Sequence, residues 1–360
     1  MLQVNLEDLR KQIDQIDDQL IHLLNQRMEV VKQVGELKRT TKTIIYRPER
    51  EKAILDRLKA KNKGLLNERA IEAIFLEIFA VSRNLELPER VAYLGPNGSF
   101  SHQAAESRFG AMSEYMPINS IKAIFETIDN GMARFGVVPI ENNQEGSVPE
   151  TVDCLANFNL HIVAEIPMSI HFAFASTNNH LQQIKRIYSK DIAFRQCSQF
   201  IEEVVCNPAV ELVPVDSTSK AAKLALEAPD SAAICSRIAA QDQGLPILFD
   251  NIENSGDNQT RFLIVSKGFK NQPSGNDKTS ILARIPHTDE PGSLFHFLQD
   301  FNNENINLTK IESRPAKKGK AFKYWFLIDF EGHFTDENVK RVLDKHQREI
   351  KWLGSYVRLC

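Results

Sequence analysis

The chain has 360 residues, of which 25% are charged and 42% hydrophobic, a composition typical of a folded soluble protein with two or three domains. The formal net charge of −3 and the lack of a basic block argue against a nucleic-acid-binding protein, and no run approaches the ~20 apolar residues of a membrane span. The carboxylate-rich start MLQVNLEDLRK is unlike a signal peptide, and the five cysteines form no C-x-x-C pair. We therefore expect a cytoplasmic protein with free thiols and neither a membrane nor a nucleic acid as partner.

Residues 1–88 have the pattern of a helical domain. Apolar residues recur at alternating steps of three and four, which is the seam of an amphipathic helix. The seam positions are Leu6, Leu9, Ile13, Ile16, Leu20, Leu23, Val30, Val34 and Leu37. Thr40-Thr41-Lys42 and Arg47-Pro48 are predicted to end this helix, two further helices follow, and LPER at residues 87–90 is predicted to be a linker.

Polar residues interrupt each of the three helical seams. Arg27, Glu51 and Ser82 occupy positions that the apolar pattern assigns to the core. One such residue could merely extend its charge to solvent, but three of them favour a polar pocket inside the bundle, because buried polar groups require partners. Lys38 lies about 20° around the helix and ~16 Å along it from Arg27, so both can reach one ligand. Arg10 is about 25 Å from Arg27 and roughly 100° away, so it can join only the pocket of a partner chain, which predicts an intertwined dimer.

The stretches LRKQIDQID, LLNQRMEVVKQVGELK and RPERE, with the pair Ser82 and Glu86, resemble the all-helical chorismate mutase family. The resemblance implies that chorismate is bound by Arg10 of a partner subunit, Arg27, Lys38, Arg47, Arg50, Glu51, Ser82 and Glu86, with Arg27, Lys38 and Glu86 as the catalytic groups. Rearrangement of chorismate to prephenate requires a compact substrate conformer and cations beside the breaking ether bond, and needs no nucleophile.

Two positions in the helical segment depart from this family. Glu86 stands where many relatives have glutamine, and a carboxylate would repel the ether oxygen. We therefore expect Glu86 to act as the protonated acid, with mutase activity falling as pH rises. Arg47 stands where some relatives have aspartate, which leaves its role open.

From Val91 the pattern changes to short apolar strands that alternate with helices. The candidate strands are VAYLG, FGVVPI, HIVAEI, IHFAFA, RIYS, ELVPV, SAAICS and RFLIVS, with helices such as KAIFETIDNGMA and SKAAKLALEA between them. This alternation predicts an α/β domain with open, mainly parallel sheets. The polar stretch GFKNQPSGND after the last strand is predicted to be a linker.

Polar side chains collect where these strands end, and ligand sites of open α/β sheets lie at such ends. They are Ser99, Ser101, Asn142, Ser189, Gln196, Ser217, Thr218 and Thr260. Each could equally be a helix cap or loop polarity. The turn GPNGS is not a G-x-G-x-x-G motif, so it does not support a dinucleotide site. Asn258-Gln259-Thr260 matches an N-glycosylation pattern, but the expected cytoplasmic location removes that reading.

The motifs GPNGSFS, PIENNQEGSV, YS…QC, DSTSKAA and NQTRF resemble the prephenate dehydratase family over residues 90–268. The resemblance implies a two-lobed fold like that of periplasmic binding proteins, with the substrate in the cleft and Thr260 as the essential hydroxyl. The implied prephenate-binding residues are Ser99, Ser101, Asn142, Ser189, Gln196, Ser217, Thr218, Thr260, Arg261 and Phe262. Arg261 could instead form a structural ion pair, and Phe262 could serve only as a core anchor. Lys190-Asp191 departs from the His-Pro that is frequent in relatives.

Residues 278–360 have the β-α-β-β-α-β order of a ferredoxin-like fold. Gly292 opens a helix and Glu312-Ser313-Arg314-Pro315 closes a strand, features that could be a plain turn and a plain strand end. The pair resembles the phenylalanine-sensing form of the ACT domain, with Ser293 in place of the usual alanine. The implied effector-binding residues are Gly292, Ser293, Leu294, Asn307, Leu308, Glu312, Ser313 and Arg314.

The three resemblances predict a multidomain protein. Residues 1–88 form an all-helical mutase, residues 90–268 a two-lobed α/β dehydratase and residues 278–360 a ferredoxin-like ACT domain. The expected enzyme converts chorismate to prephenate and then to phenylpyruvate, without cofactor or metal, as a homodimer or dimer of dimers inhibited by phenylalanine. A mutase fused to a dehydrogenase is disfavoured by the missing nucleotide motif. A non-catalytic amino-acid sensor is disfavoured by Arg10, Arg27, Lys38 and Thr260.

Overall fold

The computed structural model describes residues 5–41, 47–86, 90–206, 208–285, 290–315 and 324–360. The described residues divide into two compact units. Met1–Glu89 with Phe109–Ser113 contribute to the first unit, and Arg90–Arg108 with Glu114–Cys360 to the second. No helix among the described residues is long and apolar enough to cross a membrane. Most of the predicted linker LPER, residues 87–89, lies outside the described residues.

The first unit is helical, as predicted. Its helices are α1 Leu6–Thr41, α2 Pro48–Lys61 and α3 Glu68–Glu86. Proline at the first position of α2 suits a helix start, because its missing N–H would have no partner there. Ile71, Phe79 and Ala80 of α3 are buried. The seam residues of α1, in contrast, are exposed: from Leu6 to Leu37 each retains between 40% and 65% of its accessible surface.

The second unit begins with an α/β region built on two sheets. Its elements are β1 Arg90–Leu94, α4 Phe100–Phe109, β2 Glu114–Ile118, α5 Ile121–Asp129, β3 Phe135–Asn142, β4 Gly146–Ser147, α6 Pro149–Asn157, β5 His161–Ser169, β6 Ala173–Ala175, β7 Arg186–Ser189, α7 Asp191–Gln196, α8 Ser198–Phe200, β8 Glu211–Pro214, α9 Thr218–Glu227, β9 Ser231–Cys235, α10 Arg237–Gln243, β10 Ile247–Asp250 and β11 Gln259–Ser266. Strands β2 and β10 were absent from the sequence prediction; EYMPI contains a proline and ILFD is short, so both lack a strong strand pattern.

The strand order confirms a two-lobed architecture. The first lobe has the order β2-β1-β3-β11-β5, with β4 added beside β3, and the second lobe has the order β10-β6-β9-β7-β8. The chain passes to the second lobe after β5 and returns to the first as β11, so the lobes are joined by two crossings. β11 lies antiparallel between β3 and β5.

The expectation of mainly parallel sheets is wrong. Parallel pairs join β1 to β2 and β3, and β7 to β8 and β9. The strands that cross between lobes pair antiparallel, namely β5 and β11 in one lobe and β6 and β10 in the other. A strand that returns from another lobe enters the sheet from the opposite end, and the apolar pattern of a single strand does not reveal that direction.

The C-terminal elements follow the predicted ferredoxin-like order. They are β12 Asp277–Ala283, α11 Ser293–Asn303, β13 Leu308–Pro315, β14 Tyr324–Glu331, α12 Glu337–Lys345 and β15 Ile350–Val357. Their antiparallel sheet has the order β13-β14-β12-β15. The two helices cover one face, where Phe297, Phe301 and Phe330 form the centre of the core.

The other face of the C-terminal sheet packs on the first lobe. β15 crosses β5 so closely that a Cβ atom on Gly354 would overlap the carbonyl oxygen of Ile162. Leu282 and Leu353 belong to the same buried cluster as the first-lobe core. The stretch predicted as a linker is also held in this interface, since Asn271 is buried and donates to the carbonyl oxygens of Val163 and Ser355.

Candidate active sites and effector region

The helical unit contains a cavity of about 530 Å³ on the inner side of its three helices. It is lined by Arg27, Val30, Val31, Val34, Lys38, Arg47, Arg50, Glu51, Ile54, Phe79, Ser82, Arg83 and Glu86. Except for Arg10, all the predicted chorismate-binding residues line it. Arg10 lies on an exposed part of α1, where it forms a long ion pair with Glu7 at 3.8 Å.

Several polar side chains of this cavity hydrogen-bond to one another. Arg27 donates to Ser82 Oγ at 2.5 Å, and Ser82 donates to the carbonyl oxygen of Ile78 at 2.6 Å. Lys38 donates to Glu86 at 2.8 Å. Burial lowers the pKa of the Arg27 guanidinium, an effect that nearby Glu86 opposes. An arginine retains its charge under such a shift, so Arg27 and Lys38 present two cations to a ligand.

Glu51, one of the predicted chorismate-binding residues, is paired with another residue of the cavity. Its side chain forms a buried ion pair with Arg83, a cavity residue that the sequence prediction missed. Arg83 lies one position beyond the seam residue Ser82, so the seam argument did not select it. Arg47 pairs with Glu49, a contact that keeps its guanidinium at the rim of the cavity.

In the second unit, a cavity of about 320 Å³ lies at the strand ends between the two lobes. Ser99, Ser101, Asn142, Gln196, Ser217, Thr218 and Thr260 line this cleft, as predicted. Two hydrogen bonds join the lobes near this cleft. Ser219 of the second lobe donates to the carbonyl oxygen of Asn97, and Ser236 donates to the carbonyl oxygen of Gly98 at 2.7 Å. Gly98 has a φ of +74°, and a Cβ there would lie 2.8 Å from Ser219 Oγ, so a side chain at this turn would separate the lobes.

Thr260 is one of three groups that accept from the Asn142 side chain in the cleft. Its Oγ1 accepts a hydrogen bond of 2.9 Å from Asn142, the residue opposite it on β3. Asn142 Nδ2 also lies 2.8 Å from Asn258 Oδ1, and Asn258 Nδ2 donates to Gln196 at 3.2 Å. Because Thr260 Oγ1 accepts from Asn142, its own proton remains available for donation to a ligand.

Asn258 is a site residue that the sequence analysis missed. It is 2% exposed and joins Asn142 on the first lobe to Gln196 on the second. In the sequence, Asn258 belongs to the N-glycosylation pattern Asn258-Gln259-Thr260 and to the motif NQTRF, and neither predicts these contacts. Its position two residues before Thr260 was the available signal, because side chains at i and i+2 of a strand point to the same face.

Several hydroxyl groups of the cleft also have structural roles, as the sequence alternatives allowed. Ser99 Oγ accepts from the His102 backbone N–H at 3.2 Å, which caps α4. Ser217 is the N-cap of α9 and accepts from the Lys220 N–H at 3.1 Å. Ser189 does not line the cleft; it is fully buried and donates to the carbonyl oxygen of Ile234 at 2.6 Å.

Arg261 and Phe262 also lie away from the cleft lining. Phe262 is 2% exposed within the first-lobe core. Arg261 donates to Glu165 at 2.8 Å, to Glu141 at 2.9 Å and to Asp329 at 2.7 Å. The core-anchor and ion-pair alternatives therefore describe these two residues better than a substrate contact. Successive side chains of β11 point to opposite faces of the sheet, so Arg261 points away from the face that carries Thr260.

Lys190 is the basic residue that lines the main cleft. Arg195 lines an adjoining cavity of about 250 Å³, which shares Gln196 and Asn258 with the cleft. Both follow β7, Lys190 in the turn before α7 and Arg195 within α7. Arg261 is not among the residues that line either cavity.

The predicted effector residues lie at two places on the C-terminal domain. Gly292, with a φ of +91°, begins α11, and Ser293 donates to the carbonyl oxygen of Glu290 at 3.0 Å. Leu294 and Leu308 pack against the core of this domain, and Asn307 donates to Glu331 at 3.1 Å. Glu312, Ser313 and Arg314 lie on β13, the edge strand of the sheet. Exposed apolar residues lie on this strand and on its neighbour, namely Ile311 on β13 and Tyr324 on β14.

Family models match the three parts of the chain in order. Residues 9–87 match chorismate mutase type II, residues 91–270 match prephenate dehydratase, and residues 284–347 match the ACT domain. A solved prephenate dehydratase from Arthrobacter aurescens, in complex with L-Phe, is 35% identical with a TM-score of 0.67, covering 75% of this chain and 90% of that chain.

Two relatives match this chain over almost its whole length. A bifunctional chorismate mutase/prephenate dehydratase of Aquifex aeolicus is 40% identical over 358 residues, covering 98% of this chain and 97% of the relative. A protein of the same description from Pseudomonas aeruginosa is 37% identical over 363 residues, covering 98% of each. The prediction of a mutase, a dehydratase and an ACT domain in one chain is confirmed, and the chain belongs to the bifunctional chorismate mutase/prephenate dehydratase family.

Proposed function

We propose that the helical unit rearranges chorismate to prephenate in the cavity lined by Arg27, Lys38 and Glu86. Two cations on the same face of α1, in a partly apolar cavity, suit a dianionic substrate whose ether bond breaks with charge developing on oxygen. The Lys38–Glu86 ion pair gives Lys38 a partner that a substrate oxygen must replace or share. Arg47, Arg50, Glu51 and Ser82 complete the proposed binding set.

The exposed seam of α1 supports the proposal of a mutase dimer. Water-exposed leucine, isoleucine and valine side chains over about nine turns form an apolar stripe that a second α1 would cover. Arg10 lies at the end of α1 away from Arg27, so it reaches the cavity of the other subunit in an antiparallel arrangement. The proposal predicts a dimer by sedimentation, and Leu20→Asp is expected to yield monomers with little mutase activity.

We propose that the cleft of the second unit converts prephenate to phenylpyruvate. The bond between the ring and its carboxylate breaks, its electron pair enters the ring, and the ring C–O bond breaks. Carbon dioxide leaves, and the hydroxyl group takes up a proton and leaves as water. The Thr260–Asn142 hydrogen bond carries this proposal, because it orients the Thr260 hydroxyl to donate to the departing oxygen.

The remaining cleft residues are proposed to hold the substrate. Lys190 is the favoured partner of a prephenate carboxylate, since Arg261 is committed to its buried partners. Ser99, Ser101, Gln196, Ser217, Thr218 and Asn258 supply neutral hydrogen-bonding groups around it. Arg261 and Phe262 are proposed to support the site through β11. The five free cysteines suit the cytoplasmic location proposed for the enzyme.

A coupled assay tests both activities in the full chain. The protein is given chorismate, and prephenate and phenylpyruvate are followed by chromatography. Arg27→Ala is expected to abolish prephenate formation but to leave conversion of added prephenate intact, and Thr260→Ala to do the reverse. Loss of both activities in either variant would contradict separate sites.

We further propose that phenylalanine inhibits the dehydratase by binding at the β13 edge of the C-terminal domain. The resemblance of Gly292 and the Glu312–Pro315 segment to a phenylalanine-sensing ACT domain supports this ligand, and the exposed apolar edge supports a second subunit as the other wall. Phenylalanine is expected to lower the dehydratase rate and raise the melting temperature. Equal responses to phenylalanine and to valine would contradict the proposal.

A further inference from the structure

A cluster of buried and half-buried charges joins the dehydratase lobe to the C-terminal sheet. We call it the charged junction; its members are Glu141, Glu165, Arg261, Lys278, Lys310, Glu312 and Asp329. Three basic and four acidic side chains thus meet where β3, β5 and β11 contact the C-terminal strands. Glu165 is fully buried, and the Arg261 and Asp329 side chains are 9% and 3% exposed.

Arg261 is the centre of the junction. It donates to Glu165 on β5, Glu141 on β3 and Asp329 on β14, and also to Tyr356 on β15 at 2.9 Å. Two of its partners thus belong to the dehydratase lobe and two to the C-terminal domain. Because Arg261 follows Thr260 directly on β11, the contacts that hold its side chain also restrain the backbone that carries Thr260.

Lys278 completes the buried side of the junction. It donates to Glu165 at 2.9 Å and to the carbonyl oxygen of Cys360 at 2.7 Å, and the Leu359 backbone N–H donates to Glu165 at 2.7 Å. Burial opposes ionisation of Glu165, but Arg261 and Lys278 outweigh this effect and keep its pKa below the usual value. The junction is therefore a set of ionised partners whose positions depend on one another.

A second arm of the junction reaches the predicted effector strand. Lys310 on β13 pairs with Glu141 and lies 3.3 Å from Glu312. Glu312 also accepts from Ser147, which lies opposite Glu141 in the β3–β4 pair. Glu141 is followed by Asn142, whose amide donates to Thr260. A contact path of Glu312, Lys310 and Glu141 thus ends at the hydrogen bond that orients Thr260.

We propose that Lys310, Glu141 and Arg261 are positioning residues for the dehydratase reaction, through which the β13 edge of the C-terminal domain controls the orientation of Thr260. A ligand that moves Glu312 changes the Lys310 contacts, and Glu141 then shifts β3 and Asn142 with it. The regulatory part of this inference rests on the proposed inhibition by phenylalanine; the positioning part does not.

Lys310→Gln in the full chain tests the inference, with Lys345→Gln as the matched control. Lys345 is a lysine of the same domain that pairs with Asp300 on the surface, away from the junction. In Lys310→Gln the phenylalanine concentration for half inhibition is expected to rise about 10-fold. The dehydratase kcat is expected to fall at least ~5-fold with KM changed less than about 2-fold, because the Thr260 hydrogen bond is misaligned while the substrate contacts remain.

Lys310→Arg is expected to restore both values, because it keeps the cation beside Glu141. A folding defect in Lys310→Gln would instead lower its melting temperature, and Lys310→Arg would not restore the two values. If wild type is not inhibited by phenylalanine, the proposed effector fails, and the kcat effect still tests the positioning role. Values for Lys310→Gln equal to those for Lys345→Gln would overturn the inference.

Discussion

Thr260 and Arg261 are neighbours in the chain with different surroundings. Thr260 faces the cleft and accepts from Asn142, whereas Arg261 faces the C-terminal sheet and pairs with buried carboxylates. The alternation of side chains along a strand produces this division. At the residue scale, the hydroxyl that is proposed to act in the dehydratase is therefore carried by backbone that is held from the opposite face.

Thr260→Val tests the role of the hydroxyl. Valine keeps the branched shape but cannot donate to the leaving oxygen, so the dehydratase kcat is expected to fall about 10²–10⁴-fold. Mutase activity serves as the internal control and is expected to be unchanged. Thr260→Ser, which keeps the hydroxyl, is expected to retain measurable activity; if Val and Ser lose activity equally, proton donation is not the role of Thr260.

Glu86→Gln tests the mutase site. In wild type the Glu86 carboxylate pairs with Lys38 at 2.8 Å and would repel the ether oxygen of a substrate when ionised. The amide of the glutamine variant carries no negative charge and can donate to the ether oxygen, so we expect its mutase kcat to be at least as high as that of wild type. Initial rates with chorismate at pH 7 provide the comparison; a kcat far below wild type would show that the carboxylate is needed and would rule out the repulsion.

At the element scale, β15 and β5 form the tightest contact between the C-terminal sheet and the dehydratase lobe. The overlap predicted for a Cβ on Gly354 with backbone of β5 means that this position requires glycine. Lys351, three residues earlier on β15, donates to the carbonyl oxygens of Leu155 and Phe158 at 2.8 and 2.6 Å at the end of α6. Burial among these carbonyl groups lowers the pKa of Lys351. The strand is thus held by close packing and by a helix-terminal cation.

Gly354→Ala is expected to destabilise the second unit by roughly 1–3 kcal/mol, because the backbone of β5 or β15 must move to admit the methyl group. Urea unfolding measures the effect. Gly256→Ala is the matched control, since a Cβ there meets nothing within 4 Å. Equal stability of the two variants would show that β15 moves freely away from β5.

At the scale of the whole molecule, the charged junction joins the dehydratase lobe to the C-terminal domain within the second compact unit. Its stability depends on carboxylates that are ionised in the fold. Burial raises the pKa of Glu141, but Lys310 and Arg261 reverse the shift and leave it below the usual 4.5, and Glu165 behaves in the same way. Groups of this kind stabilise the fold above their unfolded pKa, and the contribution is lost as pH falls through the lowered folded pKa.

The melting temperature is therefore expected to decrease as pH falls below about 4.5. Glu141→Gln should melt a few °C below wild type at pH 7, and this difference should shrink in acid, because protonation makes the wild-type side chain resemble the amide. Thermal unfolding monitored between pH 7 and 3 provides the comparison. A difference that stays constant with pH would show that Glu141 contributes by shape and not by charge.

Patterns in the sequence alone predicted the order of the three parts and most of their elements. The spacing of apolar residues and the position of turn residues depend only on near neighbours in the chain. They were therefore enough to predict α1, the strands between β1 and β11 that have strong apolar patterns, and the β-α-β-β-α-β order. Family motifs also selected Arg27, Lys38, Asn142 and Thr260, all of which line the cavities.

Which polar residues come into contact depends on the tertiary structure. Strand direction depends on where a strand enters a sheet, so the antiparallel pairing of β11 was not visible in its sequence. The partners of Arg261 lie between 68 and 120 residues away, and no local pattern marks them. The hydroxyl of Thr260 and the guanidinium of Arg261 share a motif in the chain, but only the fold assigns one to the cleft and the other to the charged junction, because successive strand side chains face opposite layers.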